Sequence, residues 1–341
     1  MGTVNHGGAG SSQSNKPGTG TNTAALPVGS PGKDGLLVLE FAPVERPGGA
    51  RDAGPVTEWT RRRHRTPLHV TRPLHTDPAL PGLPVVYAMC TGGGLVQGDR
   101  TRTEVTVRAG GHALVTSQAA TKIHGMSDGF ATNHIHLTAE PGSALEYLPD
   151  PTICFPGSSL RQSMVADVAP GATLIASDVT VMGRLSEVER VAPDEAQLAT
   201  RITREGRPVL VDRVTLGGAT ADDALITGSA PVLGTLLVVV PEPAAARTLV
   251  AAMRAELDGG AGMDGAGAGA AELDGAELGA AGAGAGGGGM AYGVTTMHRD
   301  AGVIVRALGS DAEAVQRTFH RLWDIARREL FGVGAFDLRK R

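Results

Sequence analysis

Two histidines two positions apart, His134 and His136, would project from the same side of a strand, because successive side chains alternate across a pleated backbone. Such an imidazole pair is a possible metal contact, and Cys90, Cys154, His112, His124, Asp99 and Glu146 are further ligand types that a transition metal accepts. No Cys-x-x-Cys or His-Glu-x-x-His spacing joins them, so the pair serves equally as polar decoration between strands. A denser polar group is Thr116-Ser-Gln-Ala-Ala-Thr-Lys-Ile-His124. Hydroxyls and amides at that density either face solvent or surround water, since burying one without a partner costs about 1–3 kcal/mol. Glu146 and Asp150 have the residue types of a glycosidase, but that mechanism depends on carboxylate separation in space, which sequence spacing does not fix. Asp150, between Pro149 and Pro151, fits a rigid turn. The cluster Thr91-Gly-Gly-Gly-Leu-Val-Gln-Gly-Asp-Arg100 lacks the Gly-Lys-Ser/Thr ending and the strand-to-helix context of a phosphate loop. It reads instead as a bend where backbones approach closely. No Gly-x-Ser-x-Gly elbow selects a nucleophile. The pattern points to a polar interior and a presented surface rather than to catalysis.

The elements that would position these residues are short and strand-like. Three segments look alike: Val105-Thr-Val-Arg-Ala-Gly-Gly-His-Ala-Leu114, His134-Ile-His-Leu-Thr-Ala-Glu-Pro-Gly-Ser-Ala-Leu145 and Met164-Val-Ala-Asp-Val-Ala-Pro-Gly-Ala-Thr-Leu174. Taking Gly111, Gly142 and Gly171 as equivalent gives spacings of 31 and 29 residues, with Leu114, Leu145 and Leu174 following each turn. Repeats of this length suggest stacked β units, each too thin to bury its own apolar face; hairpins in a sandwich would use similar turns. The fold class is therefore mainly β, a stacked antiparallel or solenoid-like scaffold with helices near the C-terminus. Leu249, Met253 and Leu257 recur at four-residue spacing after Pro243, which predicts a helix over 244–257. Ser310-Asp-Ala-Glu313 reads as a capping box, and Val315, Phe319, Leu322, Ala326 and Leu330 share one face of the helix it opens. Trp323 lies beside that face as a packing residue or an interface anchor.

Composition divides the chain. Residues 1–34 are Gly, Ser, Asn, Thr and Pro with little apolar content, and predict a disordered tail without the basic start and apolar core of a secretory signal. A β-rich core ending in a helix is expected over 35–257, a flexible Ala/Gly-rich insertion over 258–290, and a strand with a closing helix over 291–341. Two cysteines in 341 residues are too few for a disulfide framework and fit a reducing compartment. Net charge is −4, and the basic run Arg61, Arg62, Arg63, His64, Arg65 has no recognition motif or set of stacking aromatics beside it. It reads as a rim or protein-docking patch rather than a nucleic-acid site. No apolar run reaches membrane-spanning length.

Four motifs in linear order carry a resemblance: Gly92-Gly-Gly-Leu-Val-Gln-Gly-Asp99, Thr116-Ser-Gln-Ala-Ala-Thr-Lys122, Leu145-Glu-Tyr-Leu-Pro-Asp-Pro-Thr-Ile-Cys-Phe-Pro-Gly157 and Met182-Gly-Arg184. Together they resemble the urease accessory protein UreD, also called UreH, from about residue 36 to Trp323. The resemblance implies a cytoplasmic, predominantly β, non-enzymatic maturation chaperone. It implies association with UreF, UreG and the urease apoenzyme, and nickel handled in transit with no permanently bound cofactor. It places Asp99, Gln118, Thr121, Lys122, Glu146 and Asp150 near an internal passage; the residue types by themselves offer His134, His136 and Cys90 as a possible metal contact and Arg61, Arg62, Arg63 and Trp323 as a partner interface. A metal-independent β-rich interaction scaffold is the alternative.

Overall fold

The computed structural model describes residues 32–45, 56–183, 193–218, 230–260 and 290–338. The expected tail up to residue 31, most of the Ala/Gly-rich segment, Arg184 and residues 339–341 lie outside the described residues. In chain order the strands are β1 (Asp34–Val44), β2 (Val56–Arg65), β3 (Leu68–Val70), β4 (Val85–Cys90), β5 (Arg100–Val107) and β6 (His112–Ser117). There follow β7 (Thr121–Ile123), β8 (Ala131–Ala139), β9 (Ala144–Leu148), β10 (Thr152–Cys154), β11 (Ser159–Val168) and β12 (Thr173–Met182). The remainder is β13 (Glu195–Arg204), β14 (Arg207–Leu216), β15 (Val232–Val239), helix α1 (Pro243–Gly260), β16 (Ala291–Thr296), β17 (Gly302–Gly309) and helix α2 (Ala312–Phe331).

These strands form two sheets. Sheet A runs β14-β13-β11-β8-β5-β1-β2, and sheet B runs β16-β17-β15-β12-β9-β6-β4-β3, with β7 and β10 attached beside β12. The middle of each sheet is parallel: β1, β5, β8, β11 and β13 in one, β4, β6, β9 and β12 in the other. From β5 to β13 the chain passes from sheet to sheet, so each coil lays one strand on each face. That is the solenoid-like stacking expected of a thin repeat that needs neighbours to bury its apolar side. Antiparallel partners flank the parallel stack, β2 and β14 on sheet A, β3 and β15 on sheet B.

Alternation sorts the side chains. In β1 and β5 every second residue is buried, and Leu37, Leu39, Phe41, Val105 and Val107 meet Ala113, Val115, Leu145 and Leu174 between the sheets. Fully burying such a side chain stabilises by about 1.5–3 kcal/mol. The opposite face of sheet B packs Ile175, Val179, Leu236 and Val238 against Leu249, Met253 and Leu257 of α1 and Val315, Phe319 and Leu322 of α2.

Register corrects two sequence expectations. Val107 pairs with Ala139 and Ala139 with Val168, which makes Gly110, not Gly111, the partner of Gly142 and Gly171. These three glycines have φ of 72°, 68° and 73°, a left-handed turn that a side chain rarely adopts. Ala113, rather than Leu114, is then the inward equivalent of Leu145 and Leu174; Leu114 faces the helices. At α2 the cap is Asp311, one residue later than read, whose carboxylate accepts from the amides of Glu313 and Ala314. Gly332 ends that helix at φ 69°.

Candidate functional site

Between the sheets the apolar core gives way to a cavity of about 140 Å³, room for several waters. Its outer end is walled by Cys90, Gln118, Ala119, Ala120 and Thr121, and its inner end by Gln162, Ser177 and Asp178. The bends after β6 and β9 stack on one another here, the Thr121 amide donating to the Pro151 carbonyl at 2.9 Å. Ser117 Oγ accepts from the Asp150 amide at 2.6 Å and donates to its carboxylate at 3.0 Å.

One rung of sheet A faces this space with polar groups. Thr101, Asn133 and Gln162 are register partners on β5, β8 and β11. Thr101 Oγ1 donates to Asn133 Oδ1 at 2.9 Å, Asn133 Nδ2 to Gln162 Oε1 at 2.8 Å, and Gln162 Nε2 crosses to Asp178 Oδ2 of β12 at 2.7 Å. Every link has a defined donor and acceptor, so the row is directional and ends on the carboxylate. Burial pushes the Asp178 carboxyl up to about 6, with Asp212 adding to the rise and Gln162 and Arg306 opposing it. Beyond Asp178 a small pocket of about 10 Å³ continues past Thr180 and Thr200 to Asp212 and Arg306, which pair at 2.5 Å across the two sheets. The buried Thr180 hydroxyl lines this pocket and has no hydrogen-bond partner among the described residues, which suits one water there.

The residues singled out from sequence divide into groups. Gln118, Thr121, Asp150 and Cys90 line the cavity. Asp99 does not: it is fully buried and accepts from the amides of Lys33 and Val96 and from the Lys33 ammonium, which clamps the glycine bend. Gly94 in that bend has φ 136°, and a Cβ there would stand 2.5 Å from the Lys122 carbonyl oxygen. Lys122 is exposed, because it alternates with the inward Thr121 and Ile123. Glu146 is the third expected passage residue that lies elsewhere. Its neighbours Leu145 and Tyr147 face the inter-sheet core, so alternation turns Glu146 to the helix side. There it accepts from the Trp323 indole N–H and meets His112 Nε2 at 2.8 Å, with Arg327 Nε at 3.8 Å. Arg327, wholly buried, also pairs with Asp77. Trp323 is 2% exposed and ties α2 to sheet B, so it packs within the chain instead of presenting an interface.

His134 and His136 do share the outer face of sheet A. Each is taken up by β11: His134 Nδ1 lies 2.7 Å from Ser163 Oγ, and His136 Nε2 lies 3.0 Å from Asp167 Oδ2. Desolvation, and then the charge of Arg102, hold His134 below the usual imidazole value. Among the described residues no three His, Cys, Asp or Glu side chains converge as a metal site. Arg61, Arg62 and Arg63 are exposed on β2, the edge strand of sheet A.

Sequence reasoning passed over Asp178, Gln162 and Asn133. Two signals were available: an acid within the apolar run of β12, and the spacings 101 to 133 to 162, which repeat those of Gly110, Gly142 and Gly171.

Comparison with known proteins identifies the family. The family model for "UreD urease accessory protein" matches residues 44–341. Urease accessory protein UreD of Natronomonas pharaonis is 34% identical over 91% of this chain and 92% of its own length. The UreD of Haloarcula marismortui is 33% identical over 94% and 96%. Urease accessory protein UreD 2 of Streptomyces griseus is 44% identical over a shorter span, 48% of this chain and 53% of its own. The chain belongs to the UreD urease accessory protein family, and so is a non-catalytic chaperone of urease maturation.

Proposed function

We propose that the chain works in the cytoplasm with UreF, UreG and the urease apoenzyme, and that it gives hydrated nickel a polar path toward the urease active site. The observation that supports this is the inter-sheet cavity, walled by the Thr101, Asn133, Gln162 and Asp178 row on one side and by Ser117, Gln118 and Thr121 on the other. Nickel is the cargo here. A closed set of imidazoles and thiolates would hold it, whereas single oxygens and amides beside water exchange easily with its hydration shell. Asp178 supplies one carboxylate to attract a divalent ion without enclosing it. The basic edge strand β2, with Arg61, Arg62 and Arg63, is the docking face in this reading, since an edge strand also offers unpaired backbone groups.

The test is activation of apo-urease with nickel, GTP, UreF and UreG, with and without this chain. Activation should depend on the chain, and the chain should co-purify with those partners. Equal activation in its absence would remove the proposal. Dependence on the chain that survives obstruction of the cavity would leave a metal-independent scaffold.

A further inference from the structure

We propose that the open outer face of sheet A is a docking surface for a carboxylate-rich face of a protein partner, held by arginines that span the sheet from β2 to β14. This rests on the reading of the chain as a member of an assembly with UreF, UreG and apo-urease, and extends the contact from the edge of β2 across the whole sheet.

Register lays the arginines out. Strand partners share a face, so the rungs through Leu36 and Val38 can be followed across the sheet. The first carries Arg65, Arg102, His134 and Arg213 on β2, β5, β8 and β14. The second carries Arg63, Glu104, His136 and Arg201 on β2, β5, β8 and β13. Leu37 and Leu39, which alternate with Leu36 and Val38, point into the core, so both rungs lie outside. β2 and β14 are the two edges of this sheet, six strand spacings or about 29 Å apart. Five arginines thus stand against one acid, Glu104, in a chain whose net charge is −4. Helices α1 and α2 pack on sheet B, and Arg63, Arg65, Arg201 and Arg213 stay exposed.

The composition of the rungs selects the partner. Neither holds a lysine, and the planar guanidinium fork suits a carboxylate or a phosphate. Arg65 is pre-set by Asp34 at 2.6 Å and Arg102 by Glu104 at 2.5 Å, while Arg161 on the next rung lies 3.7 Å over the Phe130 ring. Arg63, Arg201 and Arg213 have no ion pair among the described residues. Between the charges stand Val38, Val165 and Val211, the last 54% exposed. Arginine with aliphatic contact and few other charges is the make-up of a protein–protein interface. A phosphate backbone would meet Glu104 and the valines, and neither rung offers an aromatic ring on which a base could stack. A second copy of this chain would set arginine against arginine.

The test places Arg201→Glu and Arg213→Glu together in the full chain, at the opposite edge from β2. Dissociation constants for UreF with UreG, and for apo-urease, are read by biolayer interferometry at low and high salt. The expected result is at least a tenfold weaker complex with one of these partners at low salt, a smaller difference at high salt, and an unchanged melting temperature. The milder pair Arg201→Gln and Arg213→Gln should weaken the same complex several-fold. Arg62→Glu, whose side chain turns to the other side of β2 over Trp59, should leave affinity within twofold. Equal binding by parent and both double variants overturns the docking face and leaves the assembly standing, whereas a parent that binds none of the partners removes both. Arg213→Lys reads the chemistry: carbodiimide should join its amine to an aspartate or glutamate of the partner as an amide, the carbodiimide taking up the water lost. An intact complex without that crosslink overturns the carboxylate partner. Labelled RNA retained by the parent and lost by the double variants, or a parent dimer that they dissolve in sedimentation, with protein binding equal, would assign the face to nucleic acid or to a second copy and overturn the proposal.

Discussion

Asp178→Asn tests the polar row through stability as well as function. Burial lifts the Asp178 carboxyl from its ordinary value of 3.8 to about 6, so the folded chain binds that proton more tightly than the unfolded chain does. Stability from this group is fully present below about 4, falls as pH rises through about 6, and is constant above that. At 1.36 kcal/mol per pKa unit, the ionised carboxylate costs the fold about 3 kcal/mol at neutral pH, and hydration within the cavity brings this toward about 1 kcal/mol. Asparagine removes the cost while its carbonyl still accepts from Gln162. Paired thermal melts from about pH 4 to pH 8 should show the two proteins equal at the acid end and the variant more stable at the neutral end, the difference growing between pH 4 and 6. The same variant should lower nickel-dependent activation, because the inner end of the cavity loses its carboxylate while Asp150 keeps the one farther out. A variant less stable than the parent at neutral pH, or a difference independent of pH, would refute the reasoning.

Glu146→Ala leaves Trp323 Nε1 without its acceptor and Arg327 with Asp77 alone; unfolding free energy should fall by about 3–5 kcal/mol, measured by denaturant titration, with assembly and activation lost together. Gly94→Ala forces a Cβ against the Lys122 carbonyl at a φ of 136° and should lower stability by about 1–3 kcal/mol, seen as a lower melting temperature. The double variant His134→Ala and His136→Ala should activate urease at the parent rate, because both rings are engaged with β11 on the outer face; a large loss would restore them as metal contacts. Exchanging Arg61, Arg62 and Arg63 for Glu should leave the melting temperature nearly unchanged and weaken co-purification with the partners, and unchanged co-purification would remove β2 as a docking face.

The β class, the stacking of repeats and both helices were legible in the sequence because they rest on local signals: alternation, four-residue apolar spacing and the Ala-Gly-Gly, Pro-Gly and Pro-Gly turns. The cavity was half legible. The run from Thr116 to Thr121 announced itself by density, and it does face inward through Ser117, Gln118 and Thr121. Asp99 and Glu146 looked equivalent to Asp150 as acids in motifs, yet strand parity turns Glu146 away from the cavity and backbone amides enclose Asp99. Aligning the repeats on Gly111 instead of Gly110 shifted the first unit by one residue. A one-residue shift exchanges the two faces of a strand, and it hid the row from Thr101 to Gln162. The buried pair of Arg327 and Asp77 joins residues 250 apart, a contact that no local pattern encodes.

The central claim, that nickel moves through the space between the sheets, is tested most directly by obstructing that space without touching its acids. Ala120→Trp does so from a half-buried position at the cavity's outer end. With assembly verified by gel filtration, the account predicts at least a tenfold slower activation of apo-urease by nickel in the presence of GTP, UreF and UreG. Activation at the parent rate by the intact obstructed assembly would contradict it.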